Sequence, residues 1–262
     1  MPPVSPDYQE IVRSAIATYQ PYLAAHPSAR AEQTRSEPRS PQGLPALNFD
    51  VPTPKEEDKY LEGNFVEGTW VSKLESEVDG EEGLYNVAVD PGLRTPYALL
   101  LPTKDYHEQS APLRPAYLVH AHRLLVALET ALSHENEQAE TKRTVLAVYD
   151  CGEKSGVRIG HKCIRFYTMN GAASVPPIAH RTHALPELVV VQAGPAPDPR
   201  LKAFTRLLNG EEGVAKPFIP RMPHYNLIMT RETLTIVPRD DDGFLHREEG
   251  RWDGARLSGV PL

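Results

Sequence analysis

Tyr149-Asp150-Cys151-Gly152-Glu153-Lys154-Ser155-Gly156-Val157-Arg158-Ile159-Gly160-His161-Lys162-Cys163-Ile164-Arg165 leaves one apolar run, Val145 to Tyr149, crosses three glycines and enters another, Lys162 to Met169. Short apolar runs bounded by glycine read as strands, so the segment predicts strand, glycine loop, strand. Glycines let backbone N–H groups approach an anion closely. Lys154, Arg158 and Lys162 bring cations to the same window, with His161 and Arg165 beside them. Alternate residues of a strand share a face, which predicts that His161, Cys163 and Arg165 point the same way. Two readings stand open: a basic, glycine-lined phosphate site, or a surface loop with solvated charges.

Working outward, Leu84 to Val89 and Tyr97 to Leu101 read as strands separated by the turn Asp90-Pro91-Gly92. Leu113 to Leu132 carries an apolar stripe through Tyr117, Leu118, Ala121, Leu124, Leu125 and Leu128, the mark of a helix lying on a sheet. Tyr225 to Thr230 and Thr233 to Pro238 read as a hairpin turning at Arg231-Glu232, and Leu188 to Gln192 as a further strand. Leu201 to Leu208 reads as a short helix. Toward the N-terminus, Tyr8 to Ala25 has helical periodicity, limited at Pro21, and His26 to Lys59 is a proline-rich linker. Glu75 to Gly83 reads as an acidic loop. The expected class is α+β: a largely antiparallel sheet with a packed helix, decorated by the N-terminal helix and the proline-rich excursion. The expected division is residues 1–60, helix and linker, and residues 61–262, the folded domain.

The chain has 262 residues, 40% of them apolar and 24% charged, long enough to bury about 70–75% of its unfolded surface. Its 26 prolines argue against an all-helical bundle. With 28 Lys and Arg against 35 Asp and Glu, the net charge of −7 draws it to neither nucleic acid nor anionic membrane. Two cysteines, Cys151 and Cys163, are too few for a disulfide framework. No signal peptide and no membrane-spanning run is read, so the expected setting is cytoplasmic or nuclear. His120 and His122 lie two apart on a helix and cannot share a face, while His180 and His183 lie in a proline-flanked loop without acidic or cysteine partners. No metal and no cofactor is expected, and the oligomeric state is left open.

The glycine segment resembles the histidine-triad superfamily, specifically its branch of diadenosine tetraphosphate phosphorylases, or ATP adenylyltransferases. That branch carries a pattern close to Asn-x-Gly-x-x-Ser-Gly-x-Ser-x-x-His-x-His-x-Gln, on which this chain keeps Gly152, Ser155, Gly156 and His161. Tyr97 to Gln109 resembles the branch's apolar strand ending in Thr-Lys and an acid, Leu113 to Leu132 the helix after it, and Tyr225 to Arg239 its C-terminal hairpin. The resemblance spans roughly Leu84 to Asp240 and implies a histidine-triad-like fold and adenylyl transfer on ATP or diadenosine polyphosphates, phosphorolysis yielding ADP and ATP. It implies substrate contacts at Asp90, Asp150, Gly152, Ser155, Gly156, Arg158, Lys162 and Arg165, with Asp90 where relatives hold a ribose.

Four motif positions depart from the pattern. The family's transferring histidine is Cys163, the closing glutamine is Arg165, the loop serine is Arg158 and the opening asparagine is Asp150. An Asn-Lys pair after the first core strand is Asp90-Pro91. A thiolate is also a nucleophile where cations and N–H groups lower its pKa. Cys163 is therefore a candidate nucleophile with His161 tuning it, but equally a residue lining the site or filling the core. Arginines in a phosphate cradle favour an anionic ligand held bidentately. Three functions follow: a divergent nucleotidyltransferase or phosphorylase, an enzyme of changed chemistry on another anionic metabolite, or a nucleotide-binding protein without catalysis.

Overall fold

The computed structural model describes residues 7–26, 68–78, 81–91, 95–111, 113–135, 143–152, 155, 160–170, 181–184 and 224–238. In chain order these form α1 (Tyr8–Ala25), β1 (Trp70–Val78), β2 (Glu81–Val89), β3 (Leu99–Pro102), α2 (Pro115–Glu135), β4 (Arg143–Cys151), β5 (Cys163–Asn170), β6 (Arg181–Ala184), β7 (Tyr225–Met229) and β8 (Thr233–Pro238). The strands make one sheet in the order β1-β2-β3-β5-β4-β7-β8-β6, antiparallel at every pairing. The class is α+β, as the pattern predicts.

Helices α1 and α2 lie on one face of the sheet. Tyr85, Val87, Leu99, Leu101, Ala147, Tyr149, Ile164, Phe166 and Leu227 point toward them and join Val12, Tyr19, Leu118, Leu124 and Leu128 in one core. Tyr117 of α2 stacks on Tyr85 with centroids 4.7 Å apart. Its hydroxyl donates to the Leu101 carbonyl and accepts from the Ile164 N–H at 3.0 Å, so one phenol closes the β3–β5 seam. His120 and His122 do face apart: His120 meets the Tyr8 hydroxyl at 2.6 Å, while His122 bonds the Arg231 carbonyl at 2.9 Å.

Three local expectations are corrected. The N-terminal helix does not merely decorate the sheet, because Ile11, Val12, Ala15, Tyr19 and Tyr22 are buried in the common core. The helix itself runs from Tyr8 to Ala25 as read, with an exposed Pro21 inside it. The stretch read as an acidic loop is a hairpin, in which β1 and β2 pair from Trp70↔Ala88 to Val78↔Glu81. His183 lies on β6, paired with Leu234 of β8, and not in a loop. The C-terminal hairpin forms as read, with Thr230 Oγ1 accepting from the N–H groups of Glu232 and Thr233 at 3.2 and 2.9 Å. The linker, the Leu188 to Gln192 strand and the Leu201 to Leu208 helix lie outside the described residues.

Candidate functional site

Strand alternation that sends Tyr85, Val87, Ile164 and Phe166 to the helices sends their neighbours to the opposite face. That second face carries Asn86, Ala88 and Asp90 from β2 and its end, Leu100 from β3, Cys163, Arg165 and Tyr167 from β5, Asp150 from β4 and Asn226 from β7. Ala88, Leu100 and Cys163 form an apolar cluster separate from the main core. The register runs Ala88↔Leu100↔Arg165↔Val148↔Ile228, which sets Arg165 in the middle of five strands between aliphatic neighbours. Cys163 and Arg165 thus share a face as predicted.

Arg165 is only 8% exposed. A guanidinium has five N–H donors. Among the described residues it makes one hydrogen bond, a long one of 3.5 Å from Nη1 to the Tyr167 hydroxyl. Burial works against its charge, but Tyr167, Asp150 and Asp90 outweigh burial and hold it protonated. The result is a buried cation with one hydrogen bond among the described residues.

Cys163 beside it is of the opposite character. Burial pushes its thiol up to about 12, Asp90 adds to the rise, and the pull of Arg165 does not overcome them. A thiol in that state is protonated at neutral pH and is a poor nucleophile. Its Sγ lies 3.5 Å from the Ile164 carbonyl, a donor's position.

Asp150 and the glycine turn form a closed unit. Gly152 has φ +76°, a conformation that favours glycine. Its carbonyl accepts from the Ser155 N–H at 3.0 Å and from Ser155 Oγ at 2.6 Å. Asn226 Nδ2 donates to the Asp150 carboxylate and, at 2.9 Å, to the Ser155 carbonyl. The Ser155 hydroxyl therefore serves the turn. Gly156 and Arg158, with Lys154, lie outside the described residues.

Two residues expected in the site are directed elsewhere. Strand β5 begins at Cys163, so His161 precedes the alternating run; its Nε2 sits 3.0 Å from Thr103 Oγ1 and 2.8 Å from the Thr103 carbonyl. An edge contact with Tyr106, centroids 5.5 Å apart, holds the ring there. Lys162 turns to the helix side, with Nζ 5.8 Å from the Tyr117 ring centroid. Burial, with Arg114 adding to it and Cys151 opposing both, lowers its pKa to about 8. Lys162 and Arg165 are thus cations of opposite faces, because their positions differ in parity.

Gln109 is the residue that sequence reasoning missed. Its Oε1 accepts from the Cys163 N–H at 2.7 Å, while Nε2 donates to the Asp150 carbonyl at 2.8 Å and the Cys163 carbonyl at 3.2 Å. The β4–β5 ladder ends at Val148↔Arg165, and from there the Gln109 amide takes a strand's place between them. Asn86 was missed too; its one signal is an amide inside the apolar run Leu84 to Val89, since buried polar groups are the informative exceptions.

No family model matches the chain, and no curated protein matches it in sequence. Among solved structures it is similar to yeast Ap4A phosphorylase Apa2, with 20% identity and a TM-score of 0.49 over 79% of this chain and 73% of that one. The same yeast enzyme in complex with Ap4A aligns over 68% of this chain and 63% of that one, with 21% identity and a TM-score of 0.46. In complex with AMP it aligns over 74% and 75%, with 18% identity and a TM-score of 0.42.

Proposed function

We propose that the second sheet face binds the phosphates of an adenine nucleotide, and that the chain is a nucleotide-binding protein of histidine-triad type in which Cys163 lines the site as a neutral thiol. The observation that carries this reading is Arg165, a buried, protonated guanidinium with one long hydrogen bond among the described residues. Such a group binds phosphate bidentately. The motif resemblance around Gly152, Ser155 and His161 supplies the nucleotide, and Asp90 is the carboxylate for ribose hydroxyls. Covalent adenylyl transfer asks for a nucleophile at Cys163, and its burial argues against one. The other functions, transfer on ATP or diadenosine polyphosphates and chemistry on a different anion, are tested by the same experiment.

ATP, AMP, diadenosine tetraphosphate and inorganic phosphate are titrated into the protein and into Arg165→Lys and Cys163→Ser, with melting temperature and nucleotide products followed. A ligand at 100 times its Kd stabilises by about 2.7 kcal/mol. Arg165→Lys keeps the buried charge but loses the planar fork, so the expected loss of affinity is about tenfold or more. Cys163→Ser is expected to bind as before and to leave nucleotide unconverted, like the parent. Turnover abolished by Cys163→Ser restores the transferase reading. Phosphate stabilising where no nucleotide does favours the different anion.

A further inference from the structure

Asn86 lies in the middle of β2 and is 0% exposed, yet among the described residues neither its Nδ2 nor its Oδ1 has a hydrogen-bond partner. Leaving both ends of a buried amide unmade costs about 1–3 kcal/mol for each group, a cost that folding alone gives no reason to keep. The strand parity that sends Tyr85 and Val87 to the helices points Asn86 to the second face. On either side along β2 that face carries Leu84 and Ala88. Leu84 is 37% exposed, one of only three large apolar side chains so exposed among the described residues. Across the strands Asn86 pairs with Lys73 of β1, and on its other side the β2–β3 register, kept by the Tyr85↔Thr103 bridge, leads through Pro102 to Cys163. An unsatisfied amide therefore stands beside an open leucine, between Lys73 of β1 and Pro102 of β3.

We propose that Asn86 reads the N6/N7 edge of an adenine base, the base resting on Leu84 while its phosphates reach Arg165. This rests on the nucleotide reading given above and names its specificity residue. The hydrogen-bond inventory selects the ligand group. A phosphate or a carboxylate only accepts, and satisfies Nδ2 while stranding Oδ1. Adenine presents the N6 amino donor beside the N7 acceptor, the pair that an asparagine amide matches in both directions. On that same edge hypoxanthine offers O6 and N7, two acceptors, and again strands Oδ1, so the discrimination belongs to a base that turns its N7 edge to Asn86. The distance agrees: two strand spacings and two residues along the strand separate the Cα atoms of Asn86 and Arg165 by roughly 12 Å, the reach from base edge to phosphates in a nucleotide.

The test compares ATP with ITP, by calorimetric titration, on the parent protein, Asn86→Leu and Asn86→Ala, each also melted without ligand. The parent is expected to bind ATP about tenfold to a hundredfold more tightly than ITP. In Asn86→Leu that preference is expected to vanish while the free protein melts at or above the parent's temperature, because an unpaired buried amide is gone. Asn86→Ala, which fills less space, gives the same loss of preference if the leucine fails to fold. A preference for ATP that survives both variants, or a marked fall in the melting temperature of unliganded Asn86→Leu, overturns the proposal; the second result means that the amide serves the fold, through water for instance. Should the parent bind neither ATP nor ITP, the nucleotide reading itself falls. Binding of both without discrimination removes the role of Asn86 alone.

Discussion

Gln109→Leu is expected to lower the stability of the protein by about 3–5 kcal/mol, the largest loss from any single exchange on the site's rim. The substitution preserves volume but removes three hydrogen bonds, and it strands the Cys163 N–H and the carbonyls of Cys163 and Asp150 between two strands that no longer pair. Each stranded group costs about 1–3 kcal/mol. For a chain of this length the midpoint of melting falls by about 2–4 °C per kcal/mol, so a drop near 10 °C is expected. Urea unfolding provides the check: the midpoint moves while the slope stays, as for a mutation that changes stability and not compactness. Gln109→Glu is nearly as harmful, since it keeps the acceptor for Cys163 but turns an anion toward two carbonyls. A loss under about 1 kcal/mol in Gln109→Leu would show that β4 and β5 close directly once the amide is removed, and that Gln109 is no clip.

Lys162→Met is expected to act in the opposite direction, and only below the alkaline range. In the folded protein the ammonium is disfavoured by burial and by Arg114, and its pKa falls to about 8 from the ordinary 10.5. A lysine shifted down costs stability wherever both states are charged, that is below about pH 8. Between that value and 10.5 the unfolded chain holds a proton that the folded one has lost, so stability rises with pH across that window. The full cost is about 3 kcal/mol, reduced by the cation–π contact with Tyr117, which returns about 1 kcal/mol. The variant therefore gains about 2 kcal/mol at pH 7, and the advantage is nearly gone at pH 10. Paired urea titrations at the two pH values decide it: an unchanged difference between parent and variant at both would mean that Lys162 is not desolvated in the fold.

The fold was legible where side-chain period and turn chemistry agreed. The glycine segment joins two strands because Gly152 takes a positive φ that other residues resist, and β4 and β5 lie within a residue or two of the runs read from the sequence. The hairpin β1–β2 was hidden because its acidic residues, Glu75, Glu77, Glu81 and Glu82, imitate a solvated loop. An outer strand such as β1 tolerates charge, which masks its period.

The site was legible in part, for one physical reason. Parity along a strand predicts which residues share a face, and it brought Cys163 and Arg165 together. It says nothing about where a strand starts, so His161, which precedes β5, was grouped with them although it bonds Thr103. It also separates Lys162 from Arg165, a consequence that counting cations in the segment overlooks. The residues with no spacing signal at all are those that act on the backbone. Gln109 replaces a strand, and Tyr117 closes a seam through a hydroxyl; in the sequence the first is only the end of the Tyr97 to Gln109 stretch and the second one member of a helix stripe.

The clip has a kinetic meaning as well. The Cys163 amide proton is secured by a side chain from the segment between β3 and α2, whereas the Phe166 amide lies in a strand flanked by β3 and β4. Exchange with deuterated solvent separates two openings: Phe166 waits for the sheet to come apart, while Cys163 is released whenever Gln109 withdraws. Two amides three residues apart on one chain thus report on different events, and the faster of them clocks the access of water to the backbone beside Arg165.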